Sequence, residues 1–355
     1  MKGPMSKIRV GIIGAGAIAN DHCRGVNRHP DAQVTAVADT SAARAAEIQA
    51  AYKLDRTFTR WEDLVADPAI DAVTIALPNA LHAPVALAAL KAGKHVLLDK
   101  PFALNAQEAE EVVRAAERAG KVFMLGMNQR YGETSQALRT IVGRGELGEV
   151  FHTRACWLRR AGAPKFCTWF GRKDLAGGGC LLDIGVHALD LALYLIDNFQ
   201  PASVSGRIYS KFGPRGIGEG GWGKSDKGEF VFDVDDSAFA LIKFANGSTM
   251  ELEVSWVLHQ DQANKMNVEI YGTEAGASLS TLRIFRFGKN KGEYEAVEPQ
   301  GVPPAFGKTS RQANWIDVIL GKAAPLTPAR QSLVVQKVLD AIYASSSSGR
   351  DVVIA

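Results

Sequence analysis

The chain has few of the features that mark several common classes of protein. Only four cysteines occur in 355 residues, and none of them forms a Cys-x-x-Cys pair. This spacing predicts neither a zinc site nor a disulfide framework, and it favours reduced thiols in a cytosolic protein. The 41 basic and 38 acidic residues are spread along the chain without a basic cluster, so nucleic-acid binding is not expected.

Long apolar runs are also scarce. We find no stretch of the roughly 18 apolar residues that a membrane-spanning helix needs, and Met1–Lys7 lacks the apolar run of a signal peptide. We therefore expect a soluble, cytoplasmic protein with no membrane association. Hydrophobic residues make up 46% and charged residues 22%, which is typical of a well-packed globular protein, and the length suggests two domains.

Apolar, β-branched runs alternate with helical patterns from Lys7 to Gly126. Helices such as Asn105–Ala119 separate the runs, and near-continuous apolar strands separated by helices predict a parallel sheet covered on both faces. The predicted strands are Ile8–Ile13, Val34–Ala38, Ala72–Leu77, His95–Leu98 and Val122–Leu125.

The pattern changes after Asn128. A helix near Ser135–Gly143 is followed by longer strands with alternating polarity, and turn signals such as Asn246-Gly247 predict hairpins. Two helices, near Arg311–Leu320 and Ser332–Ser345, close the chain. The predicted strands are Glu149–Leu158, Ser237–Phe244, Thr249–Trp256 and Met266–Tyr271.

A glycine-rich turn, Gly14-Ala15-Gly16-Ala17-Ile18-Ala19, follows the first strand. Gly14 allows a tight turn, Gly16 lets the backbone approach a pyrophosphate, and Ala19 lets helix and strand pack closely.

The fold class is therefore α/β, with an N-terminal Rossmann domain over 1–127 and a C-terminal α+β domain over 128–355. The second domain is expected to hold a large, mostly antiparallel open sheet, and the sequence leaves open whether the C-terminal helices pack back on the first domain.

The second strand ends at Asp39, about 20 residues beyond the glycine turn, where a carboxylate can accept hydrogen bonds from ribose hydroxyls. This favours NAD over NADP, since a 2′-phosphate would meet like charge, although Arg44 lies nearby in sequence. The alternative is that Asp39 only caps the following helix.

Two later strands also end in polar residues. Leu77-Pro78-Asn79 leads to His82, and Asp99-Lys100-Pro101 follows the next strand, so these groups are expected at the carboxyl edge where open α/β sheets bind ligands. Partial desolvation would lower the pKa of such a lysine and let it exchange protons near neutrality. The alternatives are an N-cap for Asn79, and surface positions for His82 and Lys100.

In the second domain a run of three glycines, Gly177–Gly179, precedes Asp183 and His187. Their spacing of four places them on one face of a helix, where the carboxylate can orient the imidazole or bind a hydroxyl while His187 transfers a proton. A metal-ligand pair and a buried structural pair are the alternatives. The glycine-rich segment Lys211–Glu229 is expected to be a long loop that covers a site, reaches a neighbouring subunit or is disordered.

Together these segments resemble the glucose-fructose oxidoreductase / inositol dehydrogenase / MocA-like family (Gfo/Idh/MocA) over nearly the whole chain. The resemblance is carried by Gly14–Ala19, Pro78-Asn79-x-x-His82, Asp99-Lys100-Pro101 and the glycine run before Asp183-x-x-x-His187. Asp99 stands where the family usually has Glu, which puts in doubt that acid's role in positioning the lysine.

The resemblance implies an NAD(P)-dependent dehydrogenase that interconverts a secondary alcohol and a ketone of a sugar, sugar derivative or cyclitol, with the nicotinamide between the two domains. It implies Lys100, Asp183 and His187 as catalytic residues and a homo-oligomer, dimer or tetramer, assembled through the open sheet. No metal is expected.

The predicted cofactor contacts are Gly14, Gly16, Ala17, Ile18, Asp39, Thr40, Leu77, Pro78, Asn79, His82, Asp99, Lys100 and Asn128. The predicted sugar contacts are Lys100, Arg130, Trp157, Arg159, Arg160, Trp169, Arg172, Asp183 and His187, because indole faces and guanidinium groups suit polyols and acidic sugars.

Two other functions stay open at this point. Some relatives retain NAD and oxidise the sugar transiently, so that elimination or glycoside cleavage can follow. A non-catalytic NAD-binding regulator is the other, but Lys100, Asp183 and His187 are all present. Whether Lys100 or His187 accepts the proton is also open.

Overall fold

Six parallel strands form the core of the first unit of the computed structural model, which describes residues 7–223, 229–290 and 292–354. This unit comprises the residues up to Met127 together with Thr309–Leu333. Its strand order is β3-β2-β1-β4-β5-β6, and every neighbouring pair is parallel. The strands are β1 (Ile8–Ile13), β2 (Ala32–Ala38), β3 (Arg56–Phe58), β4 (Ala72–Ile75), β5 (His95–Leu98) and β6 (Phe123–Leu125).

Helices connect these strands. Helix α5 (Ala106–Ala119) shows how the sequence sets their ends. The Asn105 side chain accepts a hydrogen bond from the Glu108 N–H at 2.9 Å, and Gly120 adopts a left-handed conformation after the last turn. The helices of this unit are α1 (Ala19–Asn27), α2 (Ala42–Tyr52), α3 (Trp61–Ala66), α4 (His82–Lys91), α5 (Ala106–Ala119) and, from the C-terminal segment, α9 (Arg311–Ile319).

The strand order reverses between β1 and β4, which are neighbours in the sheet although β2 and β3 separate them in sequence. In open α/β sheets, ligands bind at the carboxyl ends of the strands at such a reversal. The segments that follow β1, β2, β4 and β5 therefore form one candidate ligand-binding edge.

A nine-stranded sheet organises the second unit, which comprises Asn128–Lys308 and the residues from Val334 onward. The order is β14-β13-β12-β11-β7-β10-β9-β8-β15, and the pairs are antiparallel except for β7 with β10. The strands are β7 (Val150–Arg159), β8 (Pro201–Tyr209), β9 (Ser237–Phe244), β10 (Thr249–Ser255), β11 (Asn264–Gly272), β12 (Gly276–Ser278), β13 (Arg283–Phe287), β14 (Tyr294–Val297) and β15 (Val352–Val353).

Helix α8 (Val186–Ile196) is the buried helix of this unit, and a π-helical turn, Leu181–Gly185, leads into it. Within the part of the chain that the structure describes, the helical stretch Lys173–Ile196 is long and apolar enough to cross a membrane, but 94% of its apolar window is buried. The stretch departs from our expectation of no such run, and its burial makes it a core helix. The remaining helices are α6 (Glu133–Gly143), α7 (Lys173–Ala176) and α10 (Ala329–Ser348), which begins before Val334.

The predicted fold class is confirmed: a parallel six-stranded sheet and a larger, mostly antiparallel sheet. The bounds of β1, β5 and β9 agree with the sequence prediction at both ends. Strand β3 and the strands β12 to β15 were missed, since two to five residues are too few for an alternating pattern to stand out. The nine-residue strand β8 was missed as well, because it contains Pro201 and Gly206, residue types that are depleted in strands.

Candidate active site

The glycine turn after β1 fits a dinucleotide. Gly14 has a φ of 101°, and a Cβ there would lie 2.2 Å from the Ala76 carbonyl oxygen, so the fold itself requires glycine. A Cβ at Gly16 would meet no atom within 4 Å. Packing therefore does not explain the second glycine, and the open space beside it is where a pyrophosphate could approach the backbone.

Asp39 points back to this turn. Its Oδ2 accepts a hydrogen bond from the Ala15 N–H at 2.8 Å, and its Oδ1 accepts from the Ser41 N–H at 2.8 Å and from Arg44 Nε at 3.4 Å. The N-cap of α2 is Ser41, whose Oγ accepts from the Arg44 N–H. The capping alternative for Asp39 is therefore wrong, because another residue fills that role, and the carboxylate lies beside the predicted pyrophosphate turn.

His82 was predicted to contact the cofactor, and the structure corrects this. Its side chain is 1% exposed, with Nδ1 2.7 Å from the Pro101 carbonyl oxygen and Nε2 2.9 Å from the Leu77 carbonyl oxygen. Burial lowers its pKa. The imidazole thus links the ends of β4 and β5, and the surface alternative is equally wrong. Asn79, also buried, opens the short helical turn between them.

A buried ion pair fixes the residue before Lys100. Arg311, at the start of α9 and 7% exposed, donates from Nη1 to Asp99 Oδ1 at 2.7 Å and from Nη2 to Asp21 Oδ2 at 2.7 Å. His22 Nε2 lies 3.4 Å from Asp99 Oδ2. Burial favours the neutral acid, but Arg311 and His22 outweigh it and hold the pKa of Asp99 below its ordinary value. The Asp99 carboxylate is therefore engaged by Arg311 and His22, and the half-buried Lys100 follows it directly in the chain.

Replacing Arg311 by methionine should destabilise the protein by about 3–5 kcal/mol at pH 7, because it leaves Asp99 charged and buried without its partner. In the wild type the lowered pKa stabilises the fold above about pH 4, and that contribution is lost as the pH falls. In the variant Arg311 no longer opposes burial, so the pKa of Asp99 is higher than in the wild type, although His22 and Lys100 still lower it. Protonation of Asp99 therefore begins at a higher pH in the variant, and the gap in unfolding free energy between the two proteins should shrink as the pH falls from 7, as measured by urea unfolding.

The matched control is Arg330→Met, which breaks an exposed pair with Glu117 (71% and 49% exposed side chains). We expect a loss of about 0–1 kcal/mol that changes little over the same pH range. Equal losses from Arg311→Met and Arg330→Met would contradict the importance given to the Asp99 pair.

The second unit brings Asp183 and His187 to the wall of one cleft. Asp183 lies in the π-helical turn and His187 in the first turn of α8, and each is 9% exposed. The fully buried Trp256 donates from Nε1 to Asp183 Oδ2 at 2.9 Å. The π-helical turn changes the simple helical spacing that the sequence suggested, but both side chains still line the same space.

This cleft has a volume of about 360 Å³ and is walled by indole rings and one guanidinium. The Arg159 guanidinium carbon lies 5.2 Å from the Trp157 ring centroid and 5.9 Å from that of Trp222. The rings of Trp157 and His187 are 5.8 Å apart. Burial lowers the pKa of Arg159, and the Asp183 carboxylate opposes that shift. The lining residues are Trp157, Arg159, Ala161, Gly162, Asp183, Ile184, His187, Gly220, Trp222, Ala263 and Asn264.

Other predicted sugar contacts lie elsewhere. Arg130 is 0% exposed and forms a two-pronged pair with Asp190, Nε to Oδ2 at 2.8 Å and Nη2 to Oδ1 at 2.6 Å. Its assignment to substrate is wrong, because the guanidinium neutralises a buried carboxylate.

Three more predicted sugar contacts are outside the set of residues that line the cleft. Trp169 stacks on Phe170 with ring centroids 3.8 Å apart. Arg172 pairs with Asp174, and Arg160 Nε donates to the Gln260 carbonyl oxygen at 3.0 Å. Asn128, predicted to contact the cofactor, is an exposed residue of the second unit.

Sequence reasoning missed Trp222, Asn264 and Trp256. Trp222 lies in the segment Lys211–Glu229, which the glycine pattern predicts to be a loop able to cover a site, and its Nε1 donates to the Gly162 carbonyl oxygen at 2.9 Å. A lone tryptophan among glycines was the available signal. Residues 224–228 of that loop lie outside the described residues. Among the residues the structure describes, no cluster of three or more His, Cys, Asp or Glu side chains could hold a metal ion.

Comparison with known families defines the class of protein. Residues 8–127 match the family described as "Oxidoreductase family, NAD-binding Rossmann fold". Residues 135–278 match the "GFO/IDH/MocA C-terminal domain". The chain is therefore an NAD-binding oxidoreductase. It belongs to the GFO/IDH/MocA family, as the sequence motifs indicated.

Relatives of this chain include enzymes named for sugar substrates. It is 33% identical over 350 residues to a D-glucoside 3-dehydrogenase of Escherichia coli (strain K12), covering 97% of each chain. It is 29% identical over 286 residues to a levoglucosan dehydrogenase of Pseudarthrobacter phenanthrenivorans, covering 76% of this chain and 73% of the relative. A solved NAD-binding protein from Listeria innocua superposes with a TM-score of 0.80 at 26% identity, covering 98% and 97% of the two chains. The chain is a dehydrogenase of this sugar oxidoreductase family.

Proposed function

We propose that the protein interconverts a secondary alcohol and a ketone of a sugar or sugar derivative by hydride transfer with NAD. The observation that carries the proposal is the cleft of the second unit, where Asp183 and His187 share a wall with Trp157, Arg159 and Trp222. Indole faces pack against the C–H surfaces of a sugar ring, while carboxylate, imidazole and guanidinium groups hydrogen-bond its hydroxyls. Glucosides and anhydro-sugars are the first substrates to test, since the relatives are named for them.

Three residues carry the chemistry in this proposal. Bound nicotinamide supplies the hydride acceptor. His187 takes the hydroxyl proton of the carbinol as the hydride leaves, and Lys100 holds the substrate oxygen and stabilises its developing negative charge. Asp183, with one oxygen held by Trp256, orients the imidazole or a substrate hydroxyl. The reverse assignment of Lys100 and His187 is the alternative that their variants distinguish.

A screen of glucosides, free sugars, inositols and anhydro-sugars with NAD tests the proposed function by the absorbance of NADH. We expect net NADH formation with at least one glycoside or anhydro-sugar. Product formation without net NADH would instead indicate transient oxidation with retained NAD. No conversion of any of these polyols, with NAD bound, would refute the proposal.

The preference for NAD over NADP should depend on Asp39. The double variant Asp39→Ala/Thr40→Arg removes a ribose acceptor and places a cation at an exposed position beside the expected 2′-phosphate. We expect the ratio of kcat/KM for NADP to that for NAD to rise by at least about tenfold. The ratio cancels any general loss from the broken Asp39 to Ala15 hydrogen bond. A wild-type enzyme that already prefers NADP would contradict our interpretation of Asp39.

Assembly and location stay predictions. We propose a homo-oligomer formed through the open sheet of the second unit and a cytoplasmic location. Sedimentation of the purified protein tests the first, and fractionation of cells tests the second.

A further inference from the structure

We propose that Asp235 is a positioning residue for Asp183 and His187, acting through the glycine run that precedes them. The inference rests on the proposed function, because it concerns the same two side chains. Asp235 does not line the cleft, and the residue is 3% exposed.

The Asp235 carboxylate closes the start of the helical segment that carries the catalytic pair. Its Oδ1 accepts from the Gly179 N–H at 2.7 Å, and its Oδ2 accepts from the Leu181 N–H at 2.9 Å and from Cys180 Sγ at 3.3 Å. Tyr343 donates its hydroxyl to Oδ1 at 2.7 Å. The first N–H groups of a helix lack partners within the helix, and a carboxylate there satisfies them and matches the positive end of the helix dipole.

The glycine run makes this approach possible. A Cβ at Gly179 would lie 1.8 Å from the Asp235 carbonyl oxygen, so any larger residue would push the two segments apart. That carbonyl oxygen also accepts from the Cys180 N–H at 3.0 Å. Gly179 therefore serves contact with Asp235, and a Cβ at the neighbouring Gly178 would lie 2.0 Å from the hydroxyl of Tyr343, the other partner of that carboxylate.

A second path leads from the same segment to Asp183. The neighbouring Asp236 accepts a hydrogen bond from the Trp256 N–H on its carbonyl oxygen at 2.8 Å. Trp256 in turn donates its indole N–H to Asp183 Oδ2 at 2.9 Å. One two-residue segment thus fixes both the backbone before Asp183 and the indole that holds its carboxylate.

The Asp236 side chain offers a matched control. It is 0% exposed, and its Oδ2 also accepts three backbone N–H groups, from Lys211, Phe212 and Gly213 at 2.7, 2.6 and 3.0 Å. These belong to the start of the loop that carries Trp222. Loss of the side-chain charge therefore disturbs a comparably buried network that leads to the sugar-binding loop, whereas the path to Trp256 runs through the Asp236 backbone carbonyl, which Asp236→Asn keeps.

The test compares Asp235→Asn with Asp236→Asn in the full-length enzyme with NAD and a glycoside that it turns over. The asparagine keeps one acceptor oxygen and turns a donor NH₂ toward N–H groups. We expect Asp235→Asn to lower kcat about ten- to hundredfold with KM changed less than about threefold, since small misplacement of catalytic groups costs rate. Asp236→Asn should lower Tm by a similar amount but act mainly on KM.

Histidine-labelled protein gives a readout that does not depend on turnover. The imidazole NMR signals of His187, assigned by their loss in His187→Ala, should shift or broaden in Asp235→Asn and stay in place in Asp236→Asn. If no sugar is oxidised, the proposed function fails, while these spectra still decide the role of Asp235.

Tyr343→Phe, which removes only one hydroxyl, decides the case if Asp235→Asn does not fold. It should lower kcat several-fold and move the same imidazole signals. Wild-type kcat and unshifted His187 signals in folded Asp235→Asn or Tyr343→Phe would overturn the proposal. So would equal losses of kcat in Asp235→Asn and Asp236→Asn, which would indicate a general structural effect.

Discussion

Replacing His187 by alanine is expected to lower kcat by about 10²- to 10⁴-fold, the usual range for loss of a general acid-base group. The imidazole borders the cleft that Asp183, Trp157 and Arg159 also line. KM for the sugar should change little by comparison, because proton transfer is stabilised in the transition state and not in the bound ground state. Steady-state kinetics on the substrate found by the screen measures both.

The pH profile separates this role from simple packing. Histidine ordinarily titrates near neutrality, so the limb of kcat/KM in that range should disappear in His187→Ala. His152→Ala is the control, since His152 lies on β7 outside the cleft, with Nδ1 2.8 Å from Thr249 Oγ1. Retention of full activity and of the neutral limb in His187→Ala would rule out His187 as the proton acceptor.

Replacing Lys100 by methionine should also lower kcat by about 10²- to 10⁴-fold, here because the developing alkoxide loses its cationic partner. The side chain leaves the sheet edge directly after Asp99, which Arg311 and His22 hold in place. Calorimetry should give an unchanged Kd for NAD within about threefold, since Asp39 and the glycine turn are intact.

The pattern of pH dependence should differ from that of the histidine variant. Lys100→Met is expected to keep the limb of kcat/KM near neutrality, which His187→Ala loses. The control is Lys91→Met, at an exposed position of α4. If Lys100→Met and not His187→Ala removes the neutral limb, the two roles are reversed.

Local pattern was enough to predict which segments share the candidate ligand-binding edge of the first unit. The turn Gly14–Ala19, Asp39 and Lys100 each follow an apolar strand, and the parallel sheet brings them to one edge without further information. The burial of His82 between two strand ends could not be predicted in the same way. Its two carbonyl partners, Leu77 and Pro101, are set by the approach of separate strand ends, which no local signal encodes.

Long-range pairing explains the other differences. The guanidinium group of Arg130 is of the kind that binds sugar hydroxyls and carboxylates. Its actual partner, Asp190, is 60 residues away in sequence. Trp222 and Asn264 reach the cleft from a glycine-rich loop and from β11, where neither hydrophobic period nor motif marks them. That Asp183 and His187 line the same space could be predicted because their spacing is local. The partner that holds Asp183, Trp256, lies 73 residues later in the sequence.

The first unit is discontinuous in sequence, and this has a consequence for how the protein is made. Trp315 and Ile316 of α9, both 0% exposed, belong to the same core cluster as Val10 and Val37 of the parallel sheet. A ribosome that has finished Met127 must still add the residues up to Thr309 before that core can close. At about 5–20 residues per second, the nascent nucleotide-binding part would wait on the order of 10 to 40 seconds with apolar surface uncovered. Fusions or grafts of this unit should therefore carry Thr309–Leu333 on a short linker after Met127, so that the covering helix arrives with the sheet it completes.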